Sequence, residues 1–144
     1  MDDDWLHDLR FAAVVLLSKL LAYMGSDLDR EGFQEIYPEL LKRLDDAQDG
    51  IRIETCKAFE VFFAHVPDPW SSSLYPYTVK QIFIHIDDPN QQIQQAIVQV
   101  LAKASRVQTD DFIEIARDCE TKFSHTVLVK NLLEGAIALK NSKQ

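Results

Sequence analysis

Glycine and proline are scarce in this 144-residue chain, at four and five residues, and that scarcity excludes a fold of many tight turns. Cysteine is scarcer still. Cys56 and Cys119 lie far apart in apolar surroundings, so no disulfide framework is expected and a reducing compartment, the cytoplasm, is. Bases are outnumbered: 15 Lys and Arg face 23 Asp and Glu, for a formal charge of −8. A chain of that sign repels phosphate backbones, which argues against nucleic acid and for basic protein surfaces as partners. The opening Met1-Asp2-Asp3-Asp4 is acidic and unlike a secretory leader. The longest apolar stretch, Phe11 to Met24, is broken by Ser18 and Lys19 and falls short of the roughly 20 residues a membrane helix needs, so no membrane segment is expected.

Chemistry-bearing motifs are missing too. There is no Gly-rich phosphate loop, nucleophile elbow or His-Glu motif. His7, His65, His85 and His125 are not paired at i, i+4 and have no Cys nearby, which leaves zinc unsupported. No catalytic residue, cofactor or metal is expected, and the chain reads as a non-enzyme.

What the chain does have is a repeat. Asp3-Asp4, Asp45-Asp46 and Asp87-Asp88 recur at intervals of 42 residues, each followed five residues later by Leu9, Ile51 or Ile93. The register continues through Ala13, Thr55 and Ile97, then Val14, Cys56 and Val98, then Leu17, Phe59 and Leu101. A fixed period of roughly 40–47 residues with helical patterning inside each unit marks an α-solenoid of the HEAT or armadillo type. The expected fold is therefore all-α, an α-α superhelix of about seven helices forming one domain. Residues 1–25 are its first piece, the second helix of a truncated repeat, and 26–66, 67–105 and 106–144 are helix pairs.

Along the chain, the first helix is predicted from Trp5 to Met24, capped by Asp4 and ended by a left-handed Gly25. Leu6, Leu9, Ala13, Leu16, Leu17, Leu20 and Met24 mark one face, but Phe11, Val14, Val15 and Leu21 make other faces apolar. A helix apolar nearly all round is expected to be buried on several sides. The pattern suggests an array cut within a repeat, with Met1 an artificial start and the uncapped first helix able to self-associate. Ser26 and Asp29 read as a capping box for a helix over 28–44, kinked or restarted near Tyr37 by Pro38. Further helices are predicted over 48–65, 75–86, 89–104, 109–122 and 126–139. In these, the serines after Trp70 cap the fourth helix, Pro89 starts the fifth, Thr109 caps the sixth and residues 140–144 form a polar tail.

The paired aspartates fall at turns, where carboxylates satisfy free helix-start amides. Arg10 and Arg52 match in register, so an Arg facing the aspartates of the neighbouring repeat would build a ladder of charge-assisted bonds, broken at Gln94. Cys56 aligns with valines and reads as a small core residue. A partner would be read on exposed second-helix positions: Glu54, Lys57 and Glu60 on one, and Gln91, Gln95, Gln99 and Lys103 on the next. Trp70 and Tyr77, in the Pro-rich link, read either as an aromatic anchor for a partner or as packing over the exposed edge of a repeat.

Leu-Asp-Asp, then Ile-Arg, then small and apolar residues at helical spacing resembles the HEAT-repeat consensus over almost the whole chain. More narrowly, Tyr37 to Asp46, and His85 to Pro89 followed by Ile93-Gln94, are similar to the C-terminal repeats of the HEAT-repeat dynein axonemal assembly factors. That resemblance implies a non-catalytic cytoplasmic scaffold for pre-assembly of axonemal dynein arms, with dynein subunits, other assembly factors or chaperones as partners. The alternative is a transport-receptor or phosphatase-scaffold HEAT segment, whose acidic first 50 residues bind basic peptides.

Overall fold

The computed structural model describes residues 2–143, and their side chains from residue 5 onward. The expectations placed on Met1 and on the side chains of Asp3 and Asp4 lie outside the described residues. The all-α class read from the sequence is the observed one, with seven α-helices and no strand among the described residues. These fall into two compact units, residues 1–66 and 67–144.

The first unit holds α1 (Asp2–Met24), α2 (Arg30–Leu44) and α3 (Asp49–His65), with α3 packed against both of the others. Its core is aromatic. Phe62 meets Phe33 of α2 edge-on at 5.2 Å and Phe63 at 5.3 Å, while Phe59 stacks on Phe63 at 6.0 Å. Ile51, Thr55, Ala58, Phe59, Phe62 and Phe63 all point inward as their helical spacing predicts. Thr55 is accommodated there because its hydroxyl donates to the Ile51 carbonyl at 2.7 Å.

The second unit holds α4 (Leu74–Phe83, continued by a 3-10 turn over Ile84–Asp87), α5 (Gln91–Ala104), α6 (Thr109–Cys119) and α7 (Thr126–Ser142). Here α4 pairs with α5 and α6 with α7, while α4 also meets α6 and α5 meets α7. Two helical hairpins thus stack like on like. Tyr75 anchors the first of them, since its hydroxyl donates to the Ala104 carbonyl at 2.7 Å from a fully buried position.

Local chemistry moves several predicted boundaries. Helix α1 begins at Asp2, so Asp4 sits inside its first turn and not at its cap. Gly25 has no left-handed backbone; it opens a 3-10 turn over Gly25–Asp27. What requires glycine there is closeness, because a Cβ would stand 2.7 Å from Cγ and 2.9 Å from Cβ of His65. That turn consumes Ser26, and Asp29 alone caps α2 by accepting the Gly32 N–H at 2.9 Å. The α2 helix runs unbroken through Pro38. The donor this removes would have served Gln34, which is exposed, so water can replace it.

In the second unit, Ser71 Oγ accepts from the Leu74 N–H at 3.0 Å, so a serine does start α4. The cap of α5 is Asn90, which accepts from Gln92 and Ile93, and Pro89 precedes the helix. Gln108, with φ of 46°, takes the cap position of α6, and the Thr109 hydroxyl turns back to the Ser105 carbonyl. Helix α6 stops at Cys119, three residues early, and α7 runs on to Ser142 through most of the expected tail.

Candidate protein-interaction surfaces

The charged turns are built as fastenings. Asp46 receives Arg10 Nε at 2.7 Å and Nη2 at 3.3 Å from α1, Arg43 Nη1 at 3.4 Å, and the Gln48 N–H at 3.0 Å. This is one rung of the Arg–Asp ladder that the repeat register predicts. Burial resists ionisation of Asp46, but the Arg10 hydrogen bond, the Gln48 amide and the charges of Arg10 and Arg43 outweigh it and hold its pKa below the ordinary carboxylate value.

The third repeat breaks the pattern where Gln94 replaces the arginine. The Gln94 side chain donates to the Asp88 carbonyl instead. Asp87 now reaches forward, accepting from the Ser124 and His125 N–H groups at the start of α7 and contacting His125 Nδ1 at 2.9 Å. Burial opposes its charge as well, and His125 with the two amides again prevails and lowers the pKa. Sequence reading missed this fastening, because its two ends are 38 residues apart with no register relation between them.

Trp70 is not an anchor for a partner: it is only 3% exposed. The reason is Gln108, whose side-chain oxygen accepts from Trp70 N–H at 2.7 Å and Ser71 N–H at 2.9 Å, while its amide donates to the Ser71 carbonyl and to Asp111. Gln108 N–H in turn donates to Asp68. The Pro-rich link is thereby laid against the α5–α6 corner with the indole inward. Tyr77 remains exposed.

On α3, Lys57 is exposed and pairs with half-buried Glu54 at 3.0 Å, with half-buried Glu60 three residues on. On α5, Gln91, Gln95 and Gln99 are exposed at successive i, i+4 positions and Lys103, half-buried, continues the row. The glutamine row forms one uncharged face of donors and acceptors a little over two turns long. The α3 group belongs to the first unit and the glutamine row to the second.

The cysteines offer little chemistry. Both are buried and neither is in a disulfide, and burial pushes the Cys119 thiol up, away from the reactive thiolate. Among the described residues no group of His, Cys, Asp or Glu side chains is arranged to hold a metal ion.

The least expected surface is α1. Val14 and Leu21 are buried, but Leu6, Leu9, Leu16, Leu20 and Met24, on the face predicted to be inward, are exposed. The helix also spans 23 residues, more than its apolar segment suggested, and over Trp5–Asp27 it meets the length and hydropathy of a membrane-crossing helix. It nonetheless carries Asp8, Arg10 and Lys19.

Three proteins resemble this chain. Dynein axonemal assembly factor 5 of Xenopus laevis is 29% identical over 102 residues, which is 68% of this chain. The mouse and human proteins of that name are 29% and 32% identical over 100 residues, 67% of this chain. The matched part is 12% of the length of each relative. No family model and no solved structure matches.

Proposed function

From its similarity to dynein axonemal assembly factor 5, we propose that this chain is a non-catalytic interaction scaffold in the pre-assembly of axonemal dynein arms. The single observation that carries this reading is the alignment with three such proteins over two thirds of the chain. The reading places the chain in the cytoplasm of cells that build motile cilia, with dynein subunits, other assembly factors and chaperones as partners. The glutamine row on α5 suits a large client. It gives many weak, uncharged hydrogen bonds without the desolvation cost of charges, so contacts can be made and released during assembly. The aspartate fastenings are occupied within the fold and hold helices rather than partners.

Affinity capture with the 144-residue chain from the cytoplasm of ciliating cells, at low and high salt, tests the reading. Axonemal dynein chains retained at both salt concentrations and lost on the triple change Gln91→Ala, Gln95→Ala, Gln99→Ala are the expected result. Capture only of basic proteins that salt releases, with no dynein subunit, would favour the peptide-binding alternative and overturn it.

A further inference from the structure

The loss of the register arginine at Gln94 leaves a joint with two possible states. The Gln94 amide nitrogen lies between two acceptors: the Asp88 carbonyl, to which it donates, and His125 Nε2 at 3.4 Å. An amide nitrogen carries two hydrogens, so it can serve both. Its orientation is not free. Turning the amide over would set Gln94 Oε1 against the Asp88 carbonyl, two acceptors face to face.

That orientation fixes the imidazole. With an N–H group in front of it, Nε2 is the bare nitrogen of the ring, and the proton sits on Nδ1, which donates to Asp87 Oδ1 at 2.9 Å. Asp87 also accepts from the Ser124 and His125 N–H groups. Three elements therefore meet at one ring: the 84–87 turn, the first turn of α5 and the start of α7.

The joint is open to protons from solvent, since the His125 side chain is 40% exposed. Among the described residues, Asp87 is the one charged side chain in contact with the ring, and α5 presents only the uncharged Gln94. His85 and Asp88 beside Asp87, Glu120 and Lys122 between α6 and α7, and Lys130 on α7 make no hydrogen bond or ion pair with it.

We propose that His125 is a proton-operated release between α7 and α5: neutral, its ring ties the start of α7 to both Asp87 and Gln94, and protonated, it keeps Asp87 and lets Gln94 go. A proton on Nε2 sets N–H against N–H, so that contact is lost. The Nδ1–H bond to Asp87 meanwhile gains the attraction of opposite charges. Gln94 stays on the Asp88 carbonyl, and the ring turns about its bond to Asp87 until Nε2–H meets water. The Arg10–Asp46 rung of the preceding repeat has no such second state, because its arginine stays charged throughout. The release does not rest on the dynein-assembly reading, and either can fail alone.

Nuclear magnetic resonance of the ¹⁵N-labelled full chain, titrated from pH 8 to pH 5 where imidazoles change charge, tests the proposal. At pH 8 the bare nitrogen of His125 should be Nε2. The Gln94 side-chain NH₂ resonances should then move along the same curve as the His125 ring, and His125→Leu should abolish that movement. Gln94→Glu offers the second ring proton an acceptor of opposite charge and should raise the His125 midpoint by about one unit. Four results would overturn the proposal: a bare Nδ1 at pH 8, Gln94 resonances that ignore the His125 titration, a Gln94 response that survives His125→Leu, or a midpoint that Gln94→Glu leaves in place. The first two are read on the unsubstituted protein and stand whether or not a variant folds.

Discussion

Leu16, Ala58 and Val100 stand at one place in the 42-residue register, yet Leu16 is 59% exposed and the other two are wholly buried. Their neighbours repeat the contrast: Leu9 is 48% and Leu20 45% exposed, whereas Ile51 and Phe62, their counterparts on α3, are at 0%. The three helices carry the same apolar pattern. They differ in how fully another helix lies on it, since α2 packs on α3 and α4 on α5, whereas α1 packs mainly on α3 and leaves this row open. Amphipathic patterning states which face wants cover; the cover itself comes from whatever packs there. Substitutions at matched positions can separate those two contributions.

The largest effect is expected where cover is complete. Phe59 lies at 0% exposure with two phenylalanine neighbours on its own helix, so Phe59→Ala should cost about 3–5 kcal/mol of unfolding free energy in urea. Leu17 is its counterpart on α1 and is only half-buried, so Leu17→Ala should cost about 1 kcal/mol, the contribution of the methylenes it does bury. Equal losses at the two positions would mean that α1 is as well covered as α3, and the contrast would collapse.

A smaller effect should come from the turns, where the two aspartates fasten in opposite directions. Asp46 reaches back to α1 and Asp87 forward to α7. Asp46 holds two arginines and an amide, so Asp46→Ala should cost about 2 kcal/mol. Asp87→Ala removes a helix-start acceptor and should cost about 1 kcal/mol. Both carboxylates titrate lower folded than unfolded. Their contribution is therefore fully present above the unfolded value of about 3.9 and is lost as the pH falls through the folded pKa. Stability measured from pH 6 downward should fall in the acid range, and Asp46→Asn should flatten that fall. An unchanged slope would show that the Arg10 rung adds nothing to the folded state.

The sequence made the architecture legible because period, capping and helical spacing are local properties. The 42-residue interval and the run from Ile51 to Phe63 placed α3 and its inward side chains without reference to any other helix. Three things were not legible. Gln108 gives no local signal that it will turn left-handed and fold the Pro-rich link inward, yet that turn is what buries Trp70. The Asp87–His125 contact joins segments with no shared register. The exposed row on α1 has the pattern of an inward face, and pattern carries no information about which neighbour is present. Among the candidate surface residues, Gln91, Gln95 and Gln99 are exposed, as their spacing opposite Ile93, Ile97 and Val100 requires, while Glu54, Glu60 and Lys103 are half-buried.

The smallest effect should come where the contrast in exposure is widest. Leu16 already meets solvent over most of its surface, so Leu16→Gln removes little apolar area from the folded state and opens no cavity. Unfolding free energy should change by no more than about 0.5 kcal/mol. If Leu16→Gln instead cost several kcal/mol, Leu16 would already be covered within a single chain, and the apolar face would be part of the core that its spacing implies.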